Sequence, residues 1–520
     1  MNLLYDDVFR VKTKEGSERL TLPSLLSRLA KNDVDHFVGM QRHQADAFHV
    51  FLSYLAAAVL ARCSIWEPKQ DEAFWREGLL NLAGKSGKAA WQLIQEDITQ
   101  AAFMQPPLPK DAKATSEVAA ADQLDVLQTA KNHDVKRTRA AFSSIDTWVY
   151  SLISLQTMSG FLGRGNQGIS RMNSGFGNRA IVELLRTKEP GQRWLDALAR
   201  LKIHRQELAQ SHFGYSADGL VLVWLMPWDG ETSLELAQLD PFYIEICRRV
   251  RLRRRGTSIV AQLYSAEKPR IAAKDLKGAV GDAWLPVDLK EVRGRKEAEL
   301  RALTFPAAGI NAEHMRRLIF KQAVKLSPLQ NPLDEWQEDL WLSASVLIRG
   351  QGTTDGFYEW DVLIPKEKVV SIFGRTGDRS LEALSRESIE QAAVMQNRVL
   401  KPAVFAHILG APDQLRLDDE FATAIWANLV REFEVKWSGK YFPWLFSVPE
   451  KFAQDQEIRR WVEILRDIAL EVLEKVEAAL PGHGGRTYRI RTQVRNRFWG
   501  GLYRHFEFLR RENGEHTVST

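Results

Sequence analysis

Three short stretches of this 520-residue chain hold residue types that could do chemistry. Gly163-Arg164-Gly165-Asn166-Gln167-Gly168 has the spacing G-x-G-x-x-G. Between a strand and a helix, that spacing brings helix amides against a pyrophosphate, with an acidic residue about 20 positions on for the ribose. His133-Asp134 pairs an imidazole with a carboxylate, as metal phosphohydrolases do, and His43 and His49 flank Asp46.

Context weighs against each. Beyond Gly168 the chain breaks again at Gly175 and Gly177 instead of starting a helix, and the nearest acid, Glu183, falls in what reads as the next helical segment. A spacing of six from His43 to His49 does not put both on one helix face, so these read as packing or surface histidines. One His-Asp dipeptide supplies a single ligand pair. A metal-dependent nuclease or phosphohydrolase centred on His133-Asp134 therefore stands as the alternative reading, and no catalytic residue, metal or cofactor is expected.

The elements that would position these residues come from the rest of the chain. Hydrophobic content of 45% and charged content of 26% are those of a globular protein, and the length suggests two or three domains. Cys63 and Cys247 cannot make a disulfide framework, and "MNLLYDDVFRV" has acids where a signal peptide needs a basic and then an apolar run. The longest apolar run, near Val50 to Ala61, is short of the roughly 20 residues that span a bilayer, so no membrane span and a cytoplasmic location are expected. A net charge of +5 says little, but its distribution says more. Six arginines crowd into Arg248 to Arg255, and Arg486 to Arg511 holds a second basic run against the single acid Glu507. Either suits a solvated face or a phosphate backbone.

The fold class read from these patterns is α+β, with a large mixed N-terminal globular domain (1–375) followed by a C-terminal four-helix bundle (376–520). "GLVLVWLMPWDG" from Gly219 and "FYIEI" from Phe242 are strand-like. Leu340 to Pro365 reads as a hairpin whose polar tip runs from Gly350 to Gly356. Apolar residues recur every four from Phe421 through Ile425 and Leu429 to Phe433, and at three and four in Ile458, Trp461, Leu465, Ile468, Val472 and Val476. Breaks are expected at Lys401 to Pro412, Ser438 to Pro449 and Pro481 to Gly485.

Taken in order, "MNLLYDD", "FMQ" at Phe103, "LQTMSGFLGRGNQGISRMNSGFGNR" from Leu155, "FYIEIC" ending at Cys247 and the helical C-terminus make a chain that resembles, over its whole length, the CasA-type large subunit of the type I-E CRISPR complex Cascade. That resemblance implies a non-catalytic subunit with defined partners: double-stranded target DNA bearing a PAM, the guide-RNA-containing backbone and small subunits, and a helicase-nuclease recruited after R-loop formation. It implies that the glycine loop, through Gly160, Phe161, Gly163, Arg164, Gly165 and Asn166, enters the minor groove. There a chain lacking Cβ atoms can approach base edges and read a motif tolerantly. Arg349, Gly350, Gln351, Gly352, Thr353 and Thr354 would form the wedge, with Gln351 or Thr353 at its tip. Lys268, Arg270, Lys136 and Arg137 would be further PAM or phosphate contacts, and Arg491, Arg495 and Arg497 would meet the backbone or the displaced strand. Members with a cysteine cluster in the middle region bind zinc, whereas this chain has only Cys247 there, so no metal is implied.

Overall fold

The computed structural model describes residues 1–125, 144–173, 179–290, 298–350, 353–374, 379–479 and 487–510. The chain divides into one unit of Met1–Ile310 with Arg317–Val362 and another of Asn311–Arg316 with Leu363–Thr520.

The first unit opens with the antiparallel strands β1 (Phe9–Thr13) and β2 (Gly16–Leu20), helix α1 (Leu22–Ala30) and the short strand β3 (His36–Phe37) paired with β1. Helices α2 (Arg42–Arg62) and α3 (Glu72–Ala83), strand β4 (Ser116–Val118), helix α4 (Ile145–Met158), strand β5 (Ile181–Leu185) and helix α5 (Pro190–Ala209) follow. Strands β6 (Leu220–Leu222) and β7 (Leu239–Ile244) pair in parallel. Strands β8 (Arg249–Arg255) and β9 (Ser258–Tyr264) form a hairpin that β4 extends in the order β4-β9-β8. A small sheet joins β10 (Val287–Lys290), β11 (Glu299–Ala302) and β12 (Val324–Lys325), and the long strands β13 (Leu340–Gly350) and β14 (Thr353–Ile364) lie in a sheet ordered β14-β13-β5.

Local sequence accounts for several boundaries. The Thr21 hydroxyl accepts from the Ser24 amide and Pro23 occupies the first turn, which starts α1. The turn between β8 and β9 is two residues long, with Gly256 at φ +60°. Helix α2 is apolar around most of its circumference and runs past the expected apolar stretch to 21 residues. It is long and apolar enough to cross a membrane, yet most of it is buried as the central core helix of this unit. Two expectations fail here. Glu183 lies in a fully buried strand, not a helix, because neighbours on both faces favour the β-rich run "IVELL" as core strand. Only Leu220–Leu222 of the "GLVLVWLMPWDG" stretch is strand, and a 3₁₀ turn follows.

In the second unit, helices α6 (Lys366–Phe373), α7 (Arg379–Val394), α8 (Lys401–Ile408), α9 (Glu420–Ser447), α10 (Gln454–Ala479) and α11 (Thr487–His505) form the helical C-terminus. The break expected over Lys401 to Pro412 falls at the end of that stretch: the chain leaves helix after Ile408 and re-enters it at Glu420, while Pro402 itself interrupts nothing. A π-helical turn at Met395–Leu400 joins α7 to α8 and leaves Pro402 in the first turn of α8. Helix α9 also continues through Pro443, because Trp437, Tyr441 and Trp444 pack around Trp461 of α10 with ring centroids 6.3, 5.5 and 4.7 Å away. Burial there outweighs the local penalty of proline. The α10 stripe is buried as its spacing implies. The seam of α9 is instead Ala422, Trp426, Phe433 and Trp437, leaving Phe421 68% exposed. The break expected at Pro481 to Gly485 lies outside the described residues.

Candidate nucleic-acid interface

Buried glutamines bring the three internal motifs together. Gln156, near the end of α4, is fully buried, and its amide group donates to the carbonyls of Met104 (2.8 Å) and Arg248 (2.9 Å). Its oxygen accepts from the amides of Cys247 (2.9 Å) and Arg248 (2.8 Å). Gln105 does the same on the other side, donating to Leu93 (2.7 Å) and accepting from the Leu252 amide (2.7 Å). Met104 itself holds the left-handed backbone, φ +58°. Irregular backbone can be buried here because side-chain amides satisfy its polar groups. The stretches "FMQ", "LQTM" and "FYIEIC" thus form one platform, from whose edge the glycine loop leaves.

The loop is a tight, tethered turn. Ile169 donates to the Ser159 carbonyl (3.1 Å) across its base, and Leu162 to Asn166 (3.0 Å) and Asn166 to Gly163 (3.0 Å) close its tip. Gly163 and Gly165 have φ of +104° and +84°, where a side chain is strained. A Cβ on Gly168 would lie 2.7 Å from the Phe161 nitrogen, whereas one on Gly163 would meet open space. On one flank the Arg248 guanidinium donates to the Gly160 carbonyl (2.8 Å). On the other, Ala266 donates to Gly165 (2.9 Å) and the Gln167 amide group to Ala266 (3.0 Å) and Glu267 (2.7 Å). The descending limb is pinned by Glu245, which accepts from the Ser170 amide (2.6 Å) and hydroxyl (3.0 Å). Arg171 beyond it is sandwiched over Tyr243, 3.8 Å from the ring centroid.

Gly160 is therefore enclosed, its carbonyl spent on Arg248, while Phe161, Arg164 and Asn166 are exposed. A cleft of about 490 Å³ opens beside them, lined by Phe161, Gln167, Gly168, Pro269 and Lys274 among others. Lys268 is exposed near its rim. Arg270 is not available in the same way. It is 2% exposed, donates to the Met226 carbonyl (3.0 Å) and lies over Trp228, and burial lowers its pKa to about 10. Arg349 is likewise enclosed at the end of β13, 4% exposed and pushed down to about 10 by burial, against the opposing pull of Asp125. Both arginines depart from the expected contact role, since neither reaches solvent in this conformation.

Of the other wedge residues, Gly350, Thr353 and Thr354 lie in the paired strands β13 and β14. Gln351 and Gly352 lie outside the described residues, as do Lys136, Arg137 and the His133-Asp134 pair. The histidines around Asp46 are dispersed: His43 pairs with Asp125 (2.8 Å), His49 approaches Glu183 (3.5 Å), and Asp46 pairs with Arg193 (2.8 Å). Among the described residues no group of three or more His, Cys, Asp or Glu side chains could hold a metal ion.

The arginine runs also split. Arg248, Arg249 and Arg251 are buried; Arg251 donates to the carbonyls of Gln95 (3.1 Å), Asp97 (3.2 Å) and Gln100 (2.9 Å), organising the segment before "FMQ". Arg254 is exposed and has no ion pair among the described residues, while Arg253 and Arg255 pair with Glu96 and Glu117. On α11, Arg491 donates to the Glu477 carbonyl (3.1 Å) and Arg495 pairs with the Glu477 carboxylate (3.1 Å). Arg497 is exposed without an ion pair among the described residues. Gln156 and Glu245, which with Arg248 build the loop's support, were not singled out from sequence, and Arg248 was read only as part of a basic run. Gln156, the one side chain in "YSLISLQTM" that carries an amide among apolar and small hydroxyl residues, was the signal.

The dinucleotide reading fails on this geometry. The loop follows a helix, not a strand, and Glu183 is buried under Arg193, Arg200 and Trp284.

No family model and no curated protein matches the chain. Solved structures do. Cse1 from Acidimicrobium ferrooxidans, a CRISPR-associated protein, aligns at a TM-score of 0.63 and 14% identity over 97% of this chain and 98% of its own. CasA from Thermus thermophilus aligns at 0.62 and 15% over 96% and 99%. A chain of a CRISPR RNA-guided surveillance complex aligns at 0.54 and 13% over 96% and 99%. With the platform, loop and helical C-terminus in the same single chain, this protein has the fold of the Cse1/CasA proteins.

Proposed function

We propose that this chain is the non-catalytic large subunit of a type I-E CRISPR RNA-guided surveillance complex, recognising the PAM of double-stranded DNA. The carrying observation is the exposed turn Phe161–Asn166, tethered on both flanks to a buried platform. A backbone turn held rigidly at the surface, with Arg164 and Asn166 at its tip and Lys268 nearby, suits a groove about 6 Å wide. The full-length likeness to Cse1/CasA folds supports this reading.

In this reading the β13–β14 hairpin separates the first base pairs, basic side chains such as Lys268 and Arg497 hold phosphates, and the subunit works with the guide-RNA backbone and small subunits. The opened complex then recruits a helicase-nuclease in the cytoplasm. The chain itself supplies no cofactor or metal chemistry. The test is a gel shift of the assembled complex on targets with an intact or a scrambled PAM. Tighter binding to the intact PAM that vanishes without this subunit supports the proposal, and equal binding to both overturns it.

A further inference from the structure

A cavity of about 340 Å³ lies where α1, β3, α2 and α5 meet, and it shares no lining residue with the cleft beside the glycine loop. Leu29, Phe37, Met40, Leu52 and Trp194 give it apolar walls. Three cations, Arg42, Lys188 and Arg193, line it against the single carboxylate of Asp35. Helices α2 and α5 both begin here, at Arg42 and Pro190, and the amide ends of helices favour negative charge.

The three cations are not equivalent. Arg42 and Lys188 are exposed at the mouth and pair with Glu359 and Asp361 of β14. Arg193 is more enclosed, its side chain 16% exposed, and is held in place by carboxylates: Nε and Nη2 donate to Glu183 Oε2 (3.0 and 2.9 Å), and Nη2 also donates to Asp46 (2.8 Å). Its Nη1 carries no hydrogen bond among the described residues and is not sealed from solvent. Because Arg200 also pairs with Glu183 (3.2 Å), two guanidinium groups face two carboxylates, and a further anion meets a balanced cluster instead of an excess of negative charge. A fixed polar donor in an apolar-walled cavity is the arrangement that orients small ligands, and a guanidinium matches a carboxylate. We infer that this cavity binds a small organic acid, with its carboxylate on Nη1 of Arg193 and its aromatic or alkyl body against Phe37, Met40 and Trp194. The volume is at the low end for ligand pockets, which restricts the occupant to a small molecule. The inference is independent of the proposed function and adds a small-molecule site to the chain.

The experiment is a fluorescence titration of the full-length protein with dansylglycine and with dansylglycinamide, in which a neutral amide replaces the carboxylate. Wild type should bind dansylglycine saturably, one to one, and about tenfold or more tightly than the amide. Arg193→Lys keeps a cation beside Glu183 but removes Nη1. It should abolish that preference while moving the amide affinity by less than about twofold. Ala45→Trp, at an exposed position of α2 that lines the cavity, should block both probes at an unchanged melting temperature, and it decides the question if Arg193→Lys does not fold. Arg42→Gln and Lys188→Gln should keep the preference, since β14 already engages both cations. Absence of saturable one-to-one binding, equal affinity for the two probes, or full binding by Ala45→Trp overturns the inference. Loss of the preference in Arg42→Gln or Lys188→Gln, with Arg193→Lys unaffected, overturns the assignment of the carboxylate to Arg193.

Discussion

Arg248 donates to the Gly160 carbonyl at 2.8 Å while the backbone of Arg248 is itself held at both its amide and its carbonyl by Gln156. Since Gln156 sits just before the loop begins, the loop and the strand that braces it are fixed to the same amide group. The position of the glycine turn is thus set by buried polar contacts and not by the glycines.

Arg248→Met should therefore loosen the loop without unfolding the unit. Losing a hydrogen bond from a charged donor to a buried carbonyl costs about 1.5–3 kcal/mol. Hydrogen exchange at Leu162, Asn166 and Ile169, whose amides close the loop, should speed up by tenfold or more, with PAM discrimination falling in parallel. Unaltered exchange at those amides would show that Gln167 and Ala266 hold the loop alone.

The loop glycines should differ in what they cost. Gly168→Ala forces a Cβ against the Phe161 nitrogen, an overpacking of about 1–3 kcal/mol, and should lower the melting temperature. Gly163→Asp has open space around it and bears only the strain of a positive φ, about 1–2 kcal/mol. Its melting should fall no further than that of Gly168→Ala, yet it should lose PAM-dependent binding, because its carboxylate faces phosphates. Gel shifts paired with calorimetry separate the two effects.

Lys268 and Arg270 should part company as well. Lys268→Ala should leave melting unchanged and flatten the salt dependence of duplex binding by about one unit. Arg270→Gln should instead destabilise the fold, since it removes the guanidinium that bonds Met226 and covers Trp228. A flattened salt slope at normal melting in Arg270→Gln would mean that the arginine swings outward to meet DNA.

Acid stability should trace to Glu183. Burial pushes its carboxyl up, but Arg193, His49 and Arg200 outweigh this and hold it well below the usual carboxylate range. A depressed folded pKa contributes stability that is fully present above the unfolded value, about 4.3, and is lost as pH falls below it. Melting temperature should therefore drop steeply below about pH 4. Glu183→Gln should lower it at pH 7, by leaving the buried Arg200 without its anion and Arg193 with Asp46 alone, and make the acid limb shallower. An equally steep limb in that variant would assign the acid loss elsewhere, Asp282 with Arg179 and Arg171 being the next such group.

Much of this protein was legible in its one-dimensional pattern. The α10 stripe, the β13–β14 strands and the glycine turn each follow from local rules: period 3.6, β-rich runs about a polar tip, and positive φ at glycine. The resemblance carried by the motif stretches found its counterpart in the Cse1/CasA fold. What local rules could not decide was the fate of side chains whose neighbours are distant in sequence. Arg251, Arg270 and Arg349 look like surface cations in the sequence, yet the tertiary structure buries each of them. Helix α9 passes through Pro443 because Trp461 lies beside it. Glu183 became a buried hub because α2, α5 and the segment before β10 converge on β5. Periodicity is a property of one segment, whereas desolvation and pairing belong to contacts made between segments far apart in the chain, and only the folded chain determines those.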